Sequence, residues 1–445
     1  MYKSLLFFFL ILSTSLCAQH TISGPFSPSA DFKWVMAYQL KPSSQEYVTA
    51  GPVKNGNLEL VMPKTAEAGL YRMVYAIPTD EFYFDVIYNG KEDIQLAFNT
   101  SNGVSFTSSE ENGTYLAYLK EINATEKKLA DYYANGQKEK AKFNAIVNDL
   151  KQTQNSFETK SEGMIAHNFI KANRPYIPLQ QESHEQYNLS KKEHFFDVLD
   201  FNNPILQSSG FLMDKAATYV FSSASSNSTG HVPEQEVQEN LKVLSSNIMG
   251  VDALFKARLF EKLWLETTKL KMGTSSDLIY NNYLLPLSKT NAQKEIRDIT
   301  DKIELDNRLR IGATAPEISW KDKGNDRKLS DLSGAQNYVV LFWSSTCSHC
   351  LKEVPELYEE LKDSKKVQVL ALGLEDDDIS WKAESAKLTG FTHVLGLRKW
   401  ENEYVFLYDV HQTPTYYVLD AQKRIVAKPS DLDELLSFLK KIGAD

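Results

Sequence analysis

Residues 339–350, VVLFWSSTCSHC, decide the fold of the C-terminal third of this chain. The first five residues form an apolar run typical of a buried strand, and the residues from Cys347 to Lys362 follow with helical spacing. Cys347 is therefore predicted at a strand-to-helix turn. The free N–H groups and partial positive charge of a helix N-terminus stabilise a thiolate. Cys347 is thus the predicted reactive thiol, and Cys350 the thiol that resolves a mixed disulfide.

Strand and helix patterns alternate on both sides of this stretch, from about residue 310 to the end of the chain. The order predicts a mixed sheet in a C-terminal α/β domain, residues 307–445. The predicted strands are 338–343, 367–374, 392–397 and a hairpin of 416–420 with 424–427. The predicted helices are 347–362, 379–388, 403–410 and 432–442.

The first two thirds of the chain show two different residue patterns, one typical of strands and one typical of helices, so the chain is predicted to be multidomain. Residues 19–110 carry short apolar or alternating runs, which indicate a β-rich antiparallel domain, either sandwich-like or a small barrel. Residues 111–306 carry helical spacing, for example Phe143, Ile146 and Leu150. The predicted strands are 20–24, 33–40, 58–62, 69–76, 82–88 and 93–98. The predicted turns are Gly51-Pro52, Asn55-Gly56 and Asn89-Gly90, and the Ser-rich segment 222–230 is a predicted loop.

The first residues resemble a secretion signal. Lys3 supplies a positive charge, 5–12 is a short apolar run, and small residues favour cleavage after Ala18. We therefore expect residues 1–18 to be a signal peptide and the protein to lie in the periplasm or cell envelope. Lipidation at Cys17 is the alternative, although Leu16 precedes it where lipoprotein processing prefers a small residue. If Cys17 leaves with the signal, the mature chain keeps only the Cys347–Cys350 pair.

The net charge and the absence of certain motifs argue against several classes of function. The 49 basic and 58 acidic residues give a net charge of -9, which argues against a nucleic-acid partner. A zinc site would need further ligands, and the sequence has no second cysteine pair, so neither a metal nor a cofactor is predicted. A peroxiredoxin would carry proline and threonine where this chain has Val340 and Ser344. A purely structural disulfide at this spacing would close almost no loop and would stabilise little.

Three further features lie near the predicted cysteine pair. Glu353 shares a helix stripe with Cys350 and could move its proton, or could be a solvated surface residue. His349 could stabilise the Cys347 thiolate and make the disulfide more oxidising, or could be an exposed spacer. Local chemistry alone predicts a trans bond between Thr413 and Pro414, because cis bonds are uncommon.

The C-terminal 130 residues resemble the thioredoxin superfamily and, within it, the TlpA/ResA-like thiol-disulfide oxidoreductases. The resemblance lies in Ile311–Pro316, Leu329–Gly334, Phe342–Cys350, Glu353-Val354-Pro355 and Thr413-Pro414-Thr415. It implies a Cys347–Cys350 disulfide, action of Glu353 on the thiols and a cis Pro414 that faces them. It also implies that Thr413, Pro414 and Trp343 contact protein disulfide or thiol substrates, with Thr413 binding an extended substrate through its backbone.

The resemblance also implies an exported enzyme, most simply a reductase that receives electrons from a membrane thiol donor. Leu341 stands where thioredoxins carry a buried Asp, and Ser348-His349 differs from the dipeptides usual in these families. His349 favours the alternative of a disulfide oxidase or isomerase. The N-terminal strands resemble the DUF4369-type modules of Bacteroidetes envelope proteins. An envelope binding module with a vestigial redox domain is therefore the remaining alternative.

Overall fold

The computed structural model describes residues 20–42, 44–223 and 232–443. The signal segment 1–18 with Cys17, and most of the Ser-rich segment 222–230, lie outside the described residues. The chain divides into two compact units, residues 1–296 and 297–445. A helix that begins at Lys294 and ends at Leu309 crosses this division. The limits predicted above for the three domains stay predictions.

A single curved sheet, close to a barrel, forms the N-terminal part of the first unit. In the part of the chain that the structure describes, its strands are β1 (Thr21–Ser27), β2 (Trp34–Lys41), β3 (Ser44–Lys54), β4 (Asn57–Val61), β5 (Gly69–Val74), β6 (Tyr83–Tyr88), β7 (Ile94–Asn99) and β8 (Gly103–Ser108). The strand order is β6-β5-β2-β3-β4-β1-β7-β8. All neighbours pair antiparallel except β1 and β7, which are parallel. The predicted antiparallel β domain is thus confirmed, with one parallel pair.

The sequence analysis missed β3 and β8 and was wrong about Gly51-Pro52, which lies inside β3. The first residues of β3 are polar and exposed, so no apolar alternation marks the strand. Pro52 pairs with Trp34 of β2, while pairing with β4 begins only at Val53. The N–H of Val53 points towards β2, so the missing donor of Pro52 faces the unpaired side and costs no ladder bond. The Asn55-Gly56 turn is confirmed, with positive φ at both residues.

Helices fill the rest of the first unit, as predicted. They are α1 (Glu110–Ala134), α2 (Lys140–Lys160), α3 (Ala166–Ala172), α4 (His184–Glu193), α5 (Pro204–Ser208), α6 (Phe211–Val220), α7 (Glu234–Asn247), α8 (Ala253–Lys269), α9 (Gly273–Ile279) and α10 (Leu285–Thr290), followed by α11 (Lys294–Leu309). The predicted stripe of α2 is buried at Phe143, Ile146 and Leu150. Among the described residues, no helix is both long enough and apolar enough to cross a membrane.

The second unit is a five-stranded mixed sheet with helices, which confirms the predicted α/β domain. Its elements are β9 (Ser319–Asp322), β10 (Asn325–Lys328), β11 (Asn337–Trp343), α12 (Ser348–Leu361), β12 (Val367–Glu375), α13 (Ile379–Ser385), β13 (Thr392–Leu397), α14 (Glu403–Leu407), β14 (Thr415–Asp420), β15 (Ile425–Ala427) and α15 (Leu432–Lys441). The sheet order is β13-β12-β11-β14-β15, and β9 and β10 form a separate hairpin that the sequence analysis missed. Strands β11, β12 and β13 are parallel, whereas β14 pairs antiparallel with both of its neighbours, β11 and β15.

Strand β11 is buried on both faces of this sheet. Val340 and Phe342 pack into one apolar cluster, and Leu341 and Trp343 pack into the other. The second cluster also contains Cys350. Side chains alternate between the faces of a strand, so burial on both faces explains why the sequence of β11 is continuously apolar.

Candidate redox site

The two cysteines lie at the carboxyl end of β11, where the chain turns into α12. Cys347 is the N-cap of α12 rather than its first residue, with an extended backbone (φ -89°, ψ 122°). The N–H of Cys350 points at the Sγ atom of Cys347 from 3.5 Å. Cys347 is half-buried, Cys350 is fully buried, and both are free thiols. One thiol can therefore meet a substrate, while the other lies one turn inward beneath it.

The two thiols have opposite pKa shifts. Burial alone would raise the pKa of Cys347, but hydrogen bonds from the Thr413 side chain and from the N–H groups of Cys350 and His349 outweigh burial and lower it. Burial raises the pKa of Cys350 to about 12. A thiolate is the attacking form of a cysteine. Near neutral pH, this arrangement therefore suits Cys347 to attack a disulfide and requires Cys350 to lose a proton before it can react.

Thr413 and Pro414 lie directly beside the reactive thiol, just before β14. The Cys347 thiol donates to the carbonyl oxygen of Thr413 at 3.4 Å. The Thr413–Pro414 bond is cis, as the resemblance implied, and the trans bond expected from local chemistry alone is wrong. Pro414 is buried and Thr413 is half-buried. The structure thus brings together two segments of the chain that are 66 residues apart.

Trp343 occupies a different place from the other residues that the resemblance assigned to substrate contact. Its side chain is only 1 % exposed and packs in the cluster that contains Cys350. It does line a cavity of about 220 Å³ beside Cys350, together with Leu351 and Pro355. Trp343 is therefore chiefly a core residue that borders this cavity.

Glu353 has a partner that the sequence analysis did not identify. The hydroxyl of Tyr416 donates to Oε2 of Glu353 at 3.1 Å. Tyr416 is buried, and burial, followed by the charges of Glu353 and Cys350, raises the pKa of its hydroxyl, which therefore stays a donor. Tyr416 pairs with Leu341 across the sheet, in the cluster that contains Cys350. The strand pattern of 416–420 predicted β14 itself, but four consecutive residues of β14 are buried, so no alternation marked the face on which Tyr416 lies.

His349 and a second carboxylate complete the surroundings of the pair. The side chain of His349 is exposed, and its contact with the reactive thiol is through the backbone N–H. Glu375, at the end of β12, is buried and accepts a hydrogen bond from Ser345, two residues before Cys347. No motif in the sequence singled out Glu375. Within the described ranges, no cluster of three or more His, Cys, Asp or Glu side chains could hold a metal ion.

Comparison with known proteins supports the same chemistry. Residues 311–428 match the AhpC/TSA family. The thiol-disulfide oxidoreductase ResA of Bacillus thuringiensis (strain Al Hakam) is 29% identical over 142 residues, which cover 30% of this chain and 80% of that protein. ResA of Geobacillus kaustophilus (strain HTA426) is 26% identical over 138 residues, which cover 30% of this chain and 78% of the relative.

Two solved structures are similar to the same part of the chain. One is a domain of a possible thiol-disulfide isomerase from Cytophaga hutchinsonii, with 34% identity and a TM-score of 0.27, covering 30% of this chain and 94% of that one. The other is the thioredoxin domain of a thiol-disulfide oxidoreductase from Bacteroides vulgatus, with 29% identity and a TM-score of 0.27, covering 31% of this chain and 99% of that one.

The C-terminal domain is therefore an AhpC/TSA-family, thioredoxin-like domain related to the ResA thiol-disulfide oxidoreductases. The predicted class of enzyme is confirmed: this domain is a thiol-disulfide oxidoreductase with Cys347 and Cys350 side by side. The resemblance of the N-terminal strands to DUF4369-type modules stays a prediction.

Proposed function

We propose that the protein is an exported reductase of protein disulfides. One observation carries this proposal, namely the contrast between a half-buried Cys347 with a lowered pKa and a buried Cys350 with a raised one. A thiol that is accessible and readily ionised can attack an external disulfide. A thiol that is buried and protonated waits for the first step. The similarity to ResA thiol-disulfide oxidoreductases supports the same reaction type.

The reaction has two exchange steps. The Cys347 thiolate attacks a substrate disulfide, forms a mixed disulfide and releases one substrate thiolate, which takes a proton from water. Cys350 then gives its proton to the Glu353 carboxylate and attacks Sγ of Cys347. The mixed disulfide breaks, the Cys347–Cys350 disulfide forms, and the second substrate thiolate takes the proton from Glu353. The substrate gains two electrons and the enzyme loses two.

The cis Thr413–Pro414 segment supports an extended peptide as the substrate. Its half-buried Thr413 lies against Cys347, so a peptide strand that paired with this backbone would bring its own cysteine to the reactive thiol. A membrane thiol carrier is the proposed donor that returns electrons to the Cys347–Cys350 disulfide. No nucleic acid, metal or cofactor has a part in this scheme.

The proposed location is the periplasm or cell envelope, and the N-terminal signal pattern supports it. Mass spectrometry of the protein purified from its own cells tests this location, because cleavage after Ala18 leaves an unmodified N-terminus. A lipid on Cys17 would instead support anchoring. An intact Met1 would contradict export through this signal.

The catalytic proposal is tested by insulin reduction with dithiothreitol, comparing the wild type with Cys347→Ser. The reduction potential of the pair is measured in parallel against glutathione. A reductase should lie near the thioredoxin value of about -270 mV, whereas a value near about -120 mV would indicate an oxidase. Insulin reduction by the wild type no faster than by the variant would contradict the enzyme function.

A further inference from the structure

Glu375 is a buried carboxylate that holds the loop in front of the reactive cysteine. Its side chain lies at the end of β12 and is 3 % exposed. The N–H of Ser345 donates to Oε1 at 2.5 Å, and the hydroxyl of Ser344 donates to Oε2 at 3.3 Å. Strands β11 and β12 are parallel neighbours, with Trp343 beside Gly373, so both reach the same edge of the sheet. Glu375 therefore meets the loop from across that edge.

The hydrogen bonds around Glu375 form a chain that points towards the carboxylate. The N–H of Thr346 donates to Oγ of Ser344 at 3.3 Å, and the two hydroxyl oxygens lie 3.1 Å apart. Because the Ser344 hydroxyl donates its hydrogen bond to Glu375, its oxygen is free to accept a hydrogen bond from the Thr346 hydroxyl. Every group in this chain then donates in the direction of Glu375, which is the arrangement that an ionised carboxylate requires.

The charge on Glu375 has no ion-pair partner among the described residues. The neighbouring Asp376 is exposed and pairs with Lys399 at 3.1 Å. Glu375 instead depends on the hydrogen bonds from Ser344 and Ser345. A buried carboxylate stabilised only by neutral donors keeps most of its field, because little water screens it.

The loop held by Glu375 contacts both cysteines. The N–H of Cys347 donates to the carbonyl oxygen of Ser344 at 3.1 Å. The Ser344 backbone also lies close enough to the Cys350 thiol to oppose part of the rise in pKa that burial causes there. A negative charge in this position opposes the formation of a thiolate at Cys347. It therefore makes the dithiol form less stable relative to the disulfide.

We propose that Glu375 is a positioning residue that also lowers the reduction potential of the Cys347–Cys350 pair. The inference rests on the proposed reductase function and deepens it, because a lower potential makes the dithiol a stronger reductant. In the exchange that measures this potential, two glutathione thiols reduce the Cys347–Cys350 disulfide to two protein thiols and become one glutathione disulfide. Glu375 takes no part in bond making. It changes only the relative stability of the two forms.

The test is Glu375→Gln in the full chain, equilibrated with glutathione at fixed pH, with the two forms separated after acid quenching and alkylation. Glutamine keeps an oxygen for Ser345, and the hydroxyl chain of Ser344 and Thr346 can reverse to accept from the new amide. The expected result is a shift of about tenfold towards the dithiol, equivalent to a potential about 30 mV higher. The matched control is Asp376→Asn, which removes the same charge one residue away in solvent and should shift the equilibrium less than twofold.

A second variant gives the opposite sign. Ser344→Ala removes one donor from Glu375 and leaves its charge less neutralised, so the equilibrium should move towards the disulfide. A loop that was only structural would not move the potential in opposite directions in the two variants. This second measurement also keeps the inference testable if Glu375→Gln fails to fold.

The outcomes separate the inference from the function on which it rests. A wild-type pair that does not exchange with glutathione would defeat the proposed function whatever the variants do. A wild type that cycles normally, with Glu375→Gln equal to Asp376→Asn, would overturn the inference alone. A higher potential in Ser344→Ala would also overturn it.

Discussion

The two sheets of this protein are built in different ways. Only the five-stranded sheet has a reactive edge, the edge at which Cys347, Thr413 and Glu375 lie. Strands such as β4 and β7 of the eight-stranded sheet alternate between buried and more exposed residues, and in β4 Leu58 and Leu60 alone are buried. The five-stranded sheet has an apolar cluster on each face, and β11 is buried almost throughout. A strand buried on both faces can place polar groups only where it ends.

This difference explains where the polar groups of the candidate site lie. The parallel strands β11 and β12 end at one edge, which brings Glu375 to the loop just before Cys347, and the segment before β14 places Thr413 against Cys347. The alternating strands of the first sheet spread their polar residues over one face instead. The contrast predicts that disruption of the reactive edge affects catalysis, whereas disruption of the first sheet affects only stability.

Cys347→Ser should have the largest effect. Because serine does not form the attacking thiolate, insulin reduction should fall at least about a hundredfold. Thermal unfolding should stay close to that of the wild type, since this side chain is half-buried at the edge of the sheet. Ser348→Ala, in the same turn but exposed, is the matched control and should keep its activity. Equal losses of insulin reduction in both variants would show that the activity does not depend on the Cys347 thiol.

A matched pair of core variants tests the contrast between the sheets directly. Leu341→Ala and Leu60→Ala each remove a side chain that is no more than 1 % exposed, and each should cost about 2–5 kcal/mol of the stability of its own unit. When insulin reduction is measured at increasing urea concentrations, the concentration at which half of the activity is lost should therefore fall only in Leu341→Ala. An equal fall in Leu60→Ala would mean that the two units do not unfold separately.

Tyr416→Phe tests the hydrogen bond between Tyr416 and Glu353. The variant removes the hydrogen bond to Glu353, so the resolution of the mixed disulfide should slow by about three- to tenfold. Tyr417→Phe is the control, because Tyr417 lies on the other face of β14 and donates to the carbonyl of Tyr408. Trapping the mixed disulfide by rapid acid quench measures this step. A similar slowing in both variants would indicate a general effect of lost strand packing.

His349→Ala should have the smallest effect. The exposed imidazole contributes less than the backbone N–H to the low pKa of Cys347, so the rate of alkylation by iodoacetamide at pH 7 should change less than about twofold. His349→Pro removes that N–H in the first helical turn, where proline is tolerated. The pKa of Cys347 should then rise, and alkylation at pH 7 should slow. A larger change in the alanine variant would restore the electrostatic role predicted for the imidazole.

The strand-turn-helix around the cysteine pair could be read from the sequence because it depends on neighbouring residues. The apolar run of β11, the helical spacing after Cys347 and the two-residue gap to Cys350 are local patterns with a direct physical meaning. The same patterns gave the order of most strands and helices. They failed at β3, where an exposed, polar strand carries no such signal.

Tertiary structure decided the contacts around the thiols, although the family resemblance had implied that Thr413, Pro414 and Glu353 belong to the site. Thr413 reaches Cys347 across 66 residues, Tyr416 reaches Glu353 across 63, and Glu375 reaches Ser345 across 30. Each of these contacts depends on the order and register of β11, β12 and β14. No spacing along the chain encodes them. The sequence by itself therefore determined the reactive pair and its class of chemistry, whereas the packing of the sheet decided the hydrogen bonds and buried charges around that pair.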